Sequence, residues 1–323
     1  MEDSYGREIN YLRLSLTDRC DFRCRYCMPE DGIKKIPQEE ILSYEEIVKL
    51  VRAATQLGIK KVRLTGGEPL TRKDLPGLVR MINEIEGIKD LSMTTNASRL
   101  SEFAEELAEA GLDRVNISLD SMDPEIFSEI TGGGDLYSVL SGIEAAKNAG
   151  LNPVKLNSVI MKGINESEIL PLVEFAVRED IALRFIELMP MGEAADGTLE
   201  PLPLDAVKRI VTEEWALEKD SGPEGNGPAE YYRVTRKEEA GTIGFIFPIS
   251  RTFCENCNRI RVTAQGNIRP CLARDEEYKL RVNKDTTIKE LARQLSKVIR
   301  KKPYGHRWEE ERETAGEMSE IGG

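Results

Sequence analysis

The stretch Thr17-Asp18-Arg19-Cys20-Asp21-Phe22-Arg23-Cys24-Arg25-Tyr26-Cys27-Met28-Pro29 sets three cysteines at C-x3-C-x2-C spacing. Positions i, i+4 and i+7 would share one face of a helix, where cysteine is an ordinary small buried residue. Charged residues fill these intervals, however, and Pro29 closes the segment, so a ligand-bearing loop fits better than a core stripe. Zinc normally takes four ligands, and no fourth Cys or His lies nearby. Three soft thiolates with one position left open suit an iron–sulfur cluster.

The other three of the six cysteines form a second triplet, Cys254-Glu255-Asn256-Cys257 and, after thirteen residues, Cys271. A C-x2-C start also opens zinc ribbons, so structural zinc competes with a second open cluster. A fourth ligand is again missing, since the single histidine, His306, lies far along the chain in a charged segment, 306–313. One histidine also makes His-triad hydrolases and His-ligated zinc enzymes poor fits. The 323 residues are 40% hydrophobic, enough for a sizeable core. Their 45 basic and 57 acidic side chains give a net charge of −12, which disfavours nucleic acid and anionic membranes as partners. No apolar run approaches a membrane span, and the opening Met-Glu-Asp-Ser-Tyr has no signal-peptide pattern. The expectation is a cytoplasmic protein with reduced thiols.

Short apolar stretches at 9–16, 61–65, 91–96, 114–119, 154–160 and 183–188 predict strands. Helical patterns at 43–57, 75–85, 101–110, 136–149 and 166–178 lie between them, and Ser43 with Glu46 forms a capping-box pattern. This order implies a parallel sheet with right-handed crossovers. The fold class is α/β: a partial (βα)6 TIM-like barrel with a small C-terminal α+β domain. Along the strands, Arg13 and Ser15, Asn116, Ser118 and Asp120, and Lys155 and Asn157 share one face. A packed barrel core would be apolar there, so the polar face reads as a lumen holding a charged ligand, or else as a solvated open-sheet face. A helix at 204–215 ends the first domain, 1–217, and 221–228 reads as a flexible joint into the second, 218–323. The second domain carries expected strands at 231–235, 242–248, 260–263 and 267–268 and a helix at 288–300.

The C-x3-C-x2-C motif with Tyr26 before its third cysteine resembles the radical SAM superfamily. The resemblance implies a 4Fe-4S cluster on Cys20, Cys24 and Cys27, with S-adenosylmethionine (SAM) chelated by the open iron and cleaved to a 5′-deoxyadenosyl radical. Gly66-Gly67-Glu68-Pro69, at the end of the second strand, is similar to the family motif that meets the amino group of SAM, with Gly67 supplying a carbonyl. Tyr26, Ser118 and Met189 resemble further SAM contacts. Taken alone, Met189 reads as core and Gly-Gly as a turn.

The C-x2-C-x13-C spacing followed by Asn258-Arg259-Ile260-Arg261 narrows the resemblance to the GTP 3′,8-cyclase family of molybdenum cofactor biosynthesis. Val62–Pro69, Thr94-Thr95-Asn96, 115–121, 184–189 and the closing Met318-Ser319-Glu320-Ile321-Gly322-Gly323 support it. The implied reaction converts GTP to (8S)-3′,8-cyclo-7,8-dihydroguanosine 5′-triphosphate. Implied GTP contacts are Arg13, Arg63, Thr94, Lys155, Arg259, Ile260 and Arg261, with Arg259 and Arg261 also assisting catalysis. A second 4Fe-4S cluster on Cys254, Cys257 and Cys271 would hold the guanine end, and Gly322 and Gly323 would thread toward the active site. A substrate this negative needs a local basic pocket in an acidic chain, which five cations supply.

Expected partners are a flavodoxin- or ferredoxin-like electron donor and the next enzyme, cyclic pyranopterin monophosphate synthase, with the chain a monomer or homodimer. Ala97, where the family commonly has glycine, and the glycine-rich 131–134 loop depart from the pattern. Two rivals remain at this point: a radical SAM peptide maturase with an auxiliary cluster, and a non-enzymatic zinc-stabilised binding protein.

Overall fold

A computed structural model describes residues 1–223, 225, 227–306, 308 and 321–322. β1 (Tyr11–Ser15), β2 (Lys61–Thr65), β3 (Asp90–Thr95), β4 (Arg114–Ser118), β5 (Lys155–Val159) and β6 (Ala182–Ile186) lie side by side in chain order, each parallel to the next. Between them run α1 (Tyr44–Thr55), α2 (Leu75–Asn83), α3 (Leu100–Glu109), α4 (Pro124–Thr131), α5 (Leu136–Asn148) and α6 (Ile169–Arg178). The six strands and five helices read from the periodicity are all present, most of them a residue or two shorter at their ends.

Local chemistry explains these boundaries. Ser43 Oγ accepts from Glu46 N at 3.3 Å and Glu46 Oε2 accepts from Ser43 N at 2.9 Å, which closes the capping box of α1. The helix buries Ile47, Leu50, Val51 and Ala54 completely. The periodicity misses α4, whose eight residues span barely two turns. Its signal was in the cap: Asp123 Oδ1 accepts from the backbone of Glu125 and Ile126, and Pro124 occupies the first helical position.

The C-terminal third carries α7 (Leu204–Glu214), β7 (Ala216–Asp220), β8 (Glu230–Arg236), β9 (Glu239–Ile246), β10 (Arg259–Val262), β11 (Asn267–Arg269), β12 (Tyr278–Lys279) and α8 (Ile288–Arg300). Its strands join the barrel sheet at both edges. β9 pairs parallel with β6 and continues into β8 and β7, while β10 pairs parallel with β1 and continues into β11 and β12. The result is one twelve-stranded sheet. A partial barrel leaves two rows of unpaired backbone groups, and these strands cover both. β7 spans the expected 217/218 boundary.

One face of the sheet packs Leu12, Leu14, Val62, Leu64, Val115, Ile117, Leu156, Leu183 and Phe185 into the main core. The other face is the lumen. Strand register places Arg261 beside Arg13 and Arg13 beside Arg63, a row of guanidinium side chains across three strands. Among the described residues no helix is long and apolar enough to cross a membrane.

Candidate active site

The lumen contains a cavity of about 280 Å³. Cys20, Cys24, Tyr26, Cys27, Gly66, Gly67, Glu68, Ser118, Asp120 and Met189 line it near the C-terminal ends of the barrel strands. Arg13, Lys61, Arg63, Asp90, Thr94, Arg114, Lys155, Asn157, Arg184, Arg259 and Arg261 line the rest. The polar strand face therefore lines a concave cavity rather than a flat, fully solvated sheet face.

Main-chain bonds hold the first cysteine loop on two sides. Arg23 N and Arg25 N donate to Thr131 O and Ile130 O at 2.8 and 2.9 Å, at the end of α4. Gly67 N and Glu68 N donate to Thr17 O and Arg19 O, both at 2.7 Å. A Cβ on Gly66 would stand 2.5 Å from Thr17 O, and one on Gly67 would run into Arg19 O. The two glycines thus permit a close backbone approach to the cysteine loop as well as to any ligand. Glu68 is buried and accepts from Leu70 N, Thr95 Oγ1 and Asn96 N. Burial pushes its carboxyl up to about 7 against the pull of those bonds.

Burial also raises the Cys20 and Cys24 thiols, with Glu68 the next cause for Cys20 and Cys27 for Cys24. Two buried thiols that resist ionising, with Cys27 beside them, are matched by a group whose iron ions supply positive charge. Among the described residues no three His, Cys, Asp or Glu side chains are grouped to hold a single ion; a cubane instead takes each thiolate on a different iron. Tyr26 Oη donates to Asp120 Oδ2 at 2.8 Å, while Asp120 Oδ1 accepts from Val159 N at 2.8 Å. Burial lifts Asp120 to about 6.

The five cations read from the sequence all reach the lumen, and three more join them: Lys61, Arg114 and Arg184. Asp90 holds Arg114 at 2.6 Å and Lys61 at 3.9 Å, and Arg184 Nη2 donates to Asn116 Oδ1 at 2.9 Å. Burial, then Arg184, Arg114 and Arg63, bring Lys155 down to about 7. Burial first, and Arg259 next, bring Arg261 down to about 10, and Arg184 falls to about 10 mainly by burial. Buried like charges that depress one another describe a site for an anion. Thr94 Oγ1 and Asn157 Oδ1 are buried in this lining without a hydrogen-bond partner among the described residues, which suits a polar ligand.

Ile260 is placed differently from its neighbours: its side chain is in the core, while Arg259 and Arg261 face the lumen, as strand alternation requires. The signal for the missed cations was the same parity, since Lys61 lies two residues before Arg63 and Arg114 two before Asn116. The expected joint at 221–228 is partly a wall of the cavity, through Gly225, Gly227 and Pro228.

The second triplet lies at the opposite end of the strands. Asn258 O, one residue after Cys257, accepts from Asn10 N and Tyr11 N at 3.2 Å each, at the start of β1. Phe253, Arg259 and Leu272 carry the triplet's loops to the cavity wall. Burial opposes ionisation of Cys257, yet the charges of Arg259 and Lys302 and hydrogen bonds from Arg259 bring it down to about 6. His306, read as part of a distant charged segment, bonds Cys254 through its backbone and stacks on Trp308 with centroids 4.8 Å apart. The remainder of that segment, 307 and 309–313, lies outside the described residues. Gly322 is buried and its carbonyl accepts from Arg261 Nη1; Gly323 lies outside the described residues.

A cysteine-triplet loop on a six-stranded partial barrel defines a radical SAM protein. The Radical SAM superfamily profile matches residues 14–176, and that of Molybdenum Cofactor Synthesis C matches residues 181–308. The chain is 45% identical over 328 residues to a GTP 3′,8-cyclase of Pelotomaculum thermopropionicum, covering 100% of both chains. It is 44% identical over 333 residues to one from Listeria monocytogenes serovar 1/2a, covering 100% of this chain and 99% of the relative. The chain therefore belongs to the GTP 3′,8-cyclase family of the radical SAM superfamily. Among solved structures, Streptococcus suis SuiB bound to precursor peptide SuiA shares the fold, with TM-score 0.59 and 16% identity over 83% of this chain and 60% of that one. The family implies a 4Fe-4S cluster and SAM.

Proposed function

We propose that this chain converts GTP to its 3′,8-cyclised nucleotide, using a SAM-bearing cluster at one end of the lumen and a second cluster at the other. One observation carries the reading: a single cavity joins the first cysteine triplet to a set of mutually depressed buried cations. Cys20, Cys24 and Cys27 would hold the first 4Fe-4S cluster, with Tyr26, Gly67, Ser118 and Met189 around SAM. When bound, cluster and SAM supply a carbon-centred radical able to take a hydrogen atom from an unactivated C–H bond.

The chain's own residues do the rest. Arg13, Arg63, Lys155 and the newly placed Arg184 are suited to anchor the triphosphate, Arg by bidentate forks and Lys as a point charge. Thr94 offers its buried hydroxyl to the nucleotide, and Ile260 offers backbone. Arg259 and Arg261 stand between substrate and the second triplet, where Cys254, Cys257 and Cys271 would hold a second cluster. The concave lumen would limit the access of water and stray hydrogen donors to the reacting carbon. The reducing cytoplasm, an electron donor and a downstream enzyme that consumes the product complete the reading.

The test is anaerobic incubation of the reconstituted protein with SAM, a reductant and GTP. Formation of 5′-deoxyadenosine should depend on GTP and accompany a cyclised nucleotide. SAM cleavage indifferent to GTP, but promoted by a peptide, overturns the reading.

A further inference from the structure

The N-terminal segment contributes nothing to the cavity, yet it carries a buried ion pair. Arg7 Nε donates to Asp3 Oδ2 at 2.6 Å, and the two side chains are 6% and 0% exposed. Tyr5 N and Arg7 N donate to Asp3 Oδ1 at 2.9 and 3.0 Å, so the turn closes on its own carboxylate. This leaves the far side of the guanidinium to face outward from the turn. Nη1 donates to the carbonyls of Cys254 and Tyr304, both at 2.8 Å, and Nη2 to that of Pro303 at 2.7 Å.

These acceptors join two pieces of chain that matter to the second triplet. Cys254 is one of its members, and Pro303 and Tyr304 belong to the strap 302–306 that leaves α8. The same strap reaches the other loops. Buried Lys302 donates through Nζ to Pro270 O at 2.5 Å, one residue before Cys271. Gly305 O accepts from Arg274 Nε at 3.1 Å, and a Cβ on Gly305 would lie 3.5 Å from Cys254 Sγ. Tyr304 Oη donates to Glu255 Oε1 at 3.0 Å.

We infer that the Asp3–Arg7 pair is a positioning clamp for the second cysteine triplet, with Arg7 holding the Cys254 carbonyl and the strap together before a cluster is present. The inference rests on the reading that this triplet binds an iron–sulfur cluster. Three carbonyls approached by two nitrogens of a rigid planar fork call for arginine; an ammonium on a flexible stem would not fix their spacing. Asp3 aims the fork by occupying its Nε side.

Wild type, Arg7→Met, Arg7→Lys and Cys271→Ala are purified and reconstituted anaerobically. Iron and sulfide per chain are measured, together with the EPR spectrum of the reduced protein with and without SAM. The wild type should bind about eight irons, as two four-iron clusters require. Arg7→Met should fall toward half that number, keeping the SAM-responsive signal and losing or broadening the second. Arg7→Lys should be intermediate. Full iron and an unaltered second signal in Arg7→Met overturn the clamp. Loss of both signals in both Arg7 variants also overturns it, since Arg7 would then serve folding in general. If wild type and Cys271→Ala each bind only about four irons, the two-cluster reading falls instead, and the clamp with it.

Discussion

Arg261 donates a hydrogen bond to the carbonyl of Gly322, and Gly322 packs on Thr65 beside Gly66. Gly322 thereby meets the row of guanidinium groups and the turn that follows β2. Gly322 has φ +80°, and a Cβ there would run into Thr65 Cγ2. Left-handed backbone costs an L-residue roughly 1–2 kcal/mol, and the collision adds to that. Gly322→Ala should therefore release the tail, lowering turnover by about tenfold or more for each 1.4 kcal/mol of lost positioning. Its melting temperature should hardly move. A large drop in melting temperature with turnover intact would make the tail a structural latch.

Lys155 should make nucleotide affinity fall as pH rises. Its folded value, about 7, lies below the ordinary lysine value because of burial and three nearby arginines. Above pH 7 the free protein carries Lys155 largely neutral, and a polyanion bound beside it draws a proton back. Binding then takes up protons, so KM for GTP should rise between pH 7 and pH 9. Lys155→Arg, charged throughout that range, should flatten the profile. An unchanged slope in that variant would assign the pH dependence elsewhere.

Removing one cysteine from each triplet should separate two activities. Cys20→Ala is expected to abolish SAM cleavage. Cys271→Ala should retain some uncoupled cleavage and yield no cyclised nucleotide. Chromatography of 5′-deoxyadenosine and nucleotide products from the two variants reads both at once. Equal loss of both activities in each variant would count against this division of labour.

Gly225 offers a test of the cavity wall. Its φ is +151°, and a Cβ would stand 2.9 Å from Lys155 Nζ. Gly225→Ala should raise KM for GTP several-fold, because the lysine must shift before phosphate reaches it. At this φ an L-residue is strained, so a stability loss of roughly 1–3 kcal/mol should accompany the rise in KM, which is read at a temperature where the variant stays folded. Unaltered KM would show that the substrate does not pass this residue.

Much of the barrel was legible because alternating strands and amphipathic helices write their burial into local periodicity. The helix α4 was not, since eight residues give too short a period and only its Asp-Pro cap marks it. Ala97 carries a different kind of information. It sits at φ +62° with its side chain buried, in the region that favours glycine, so the departure from the family pattern is a real cost to this chain. Within the site, Arg184 and Arg114 look like ordinary strand residues until neighbouring strands enclose them.

By itself the sequence determined the six cysteines' division into two triplets, the parallel α/β barrel and the parity that turns cations to one face. These depend on spacing along a single strand or loop. The tertiary structure alone decided that Arg261, Arg13 and Arg63 form one row, and that the C-terminal strands close both barrel edges. It also brought Asp3–Arg7 and His306 to Cys254. Such contacts join residues up to about 250 positions apart, and which of them meet depends on strand register and loop closure, for which no local pattern exists.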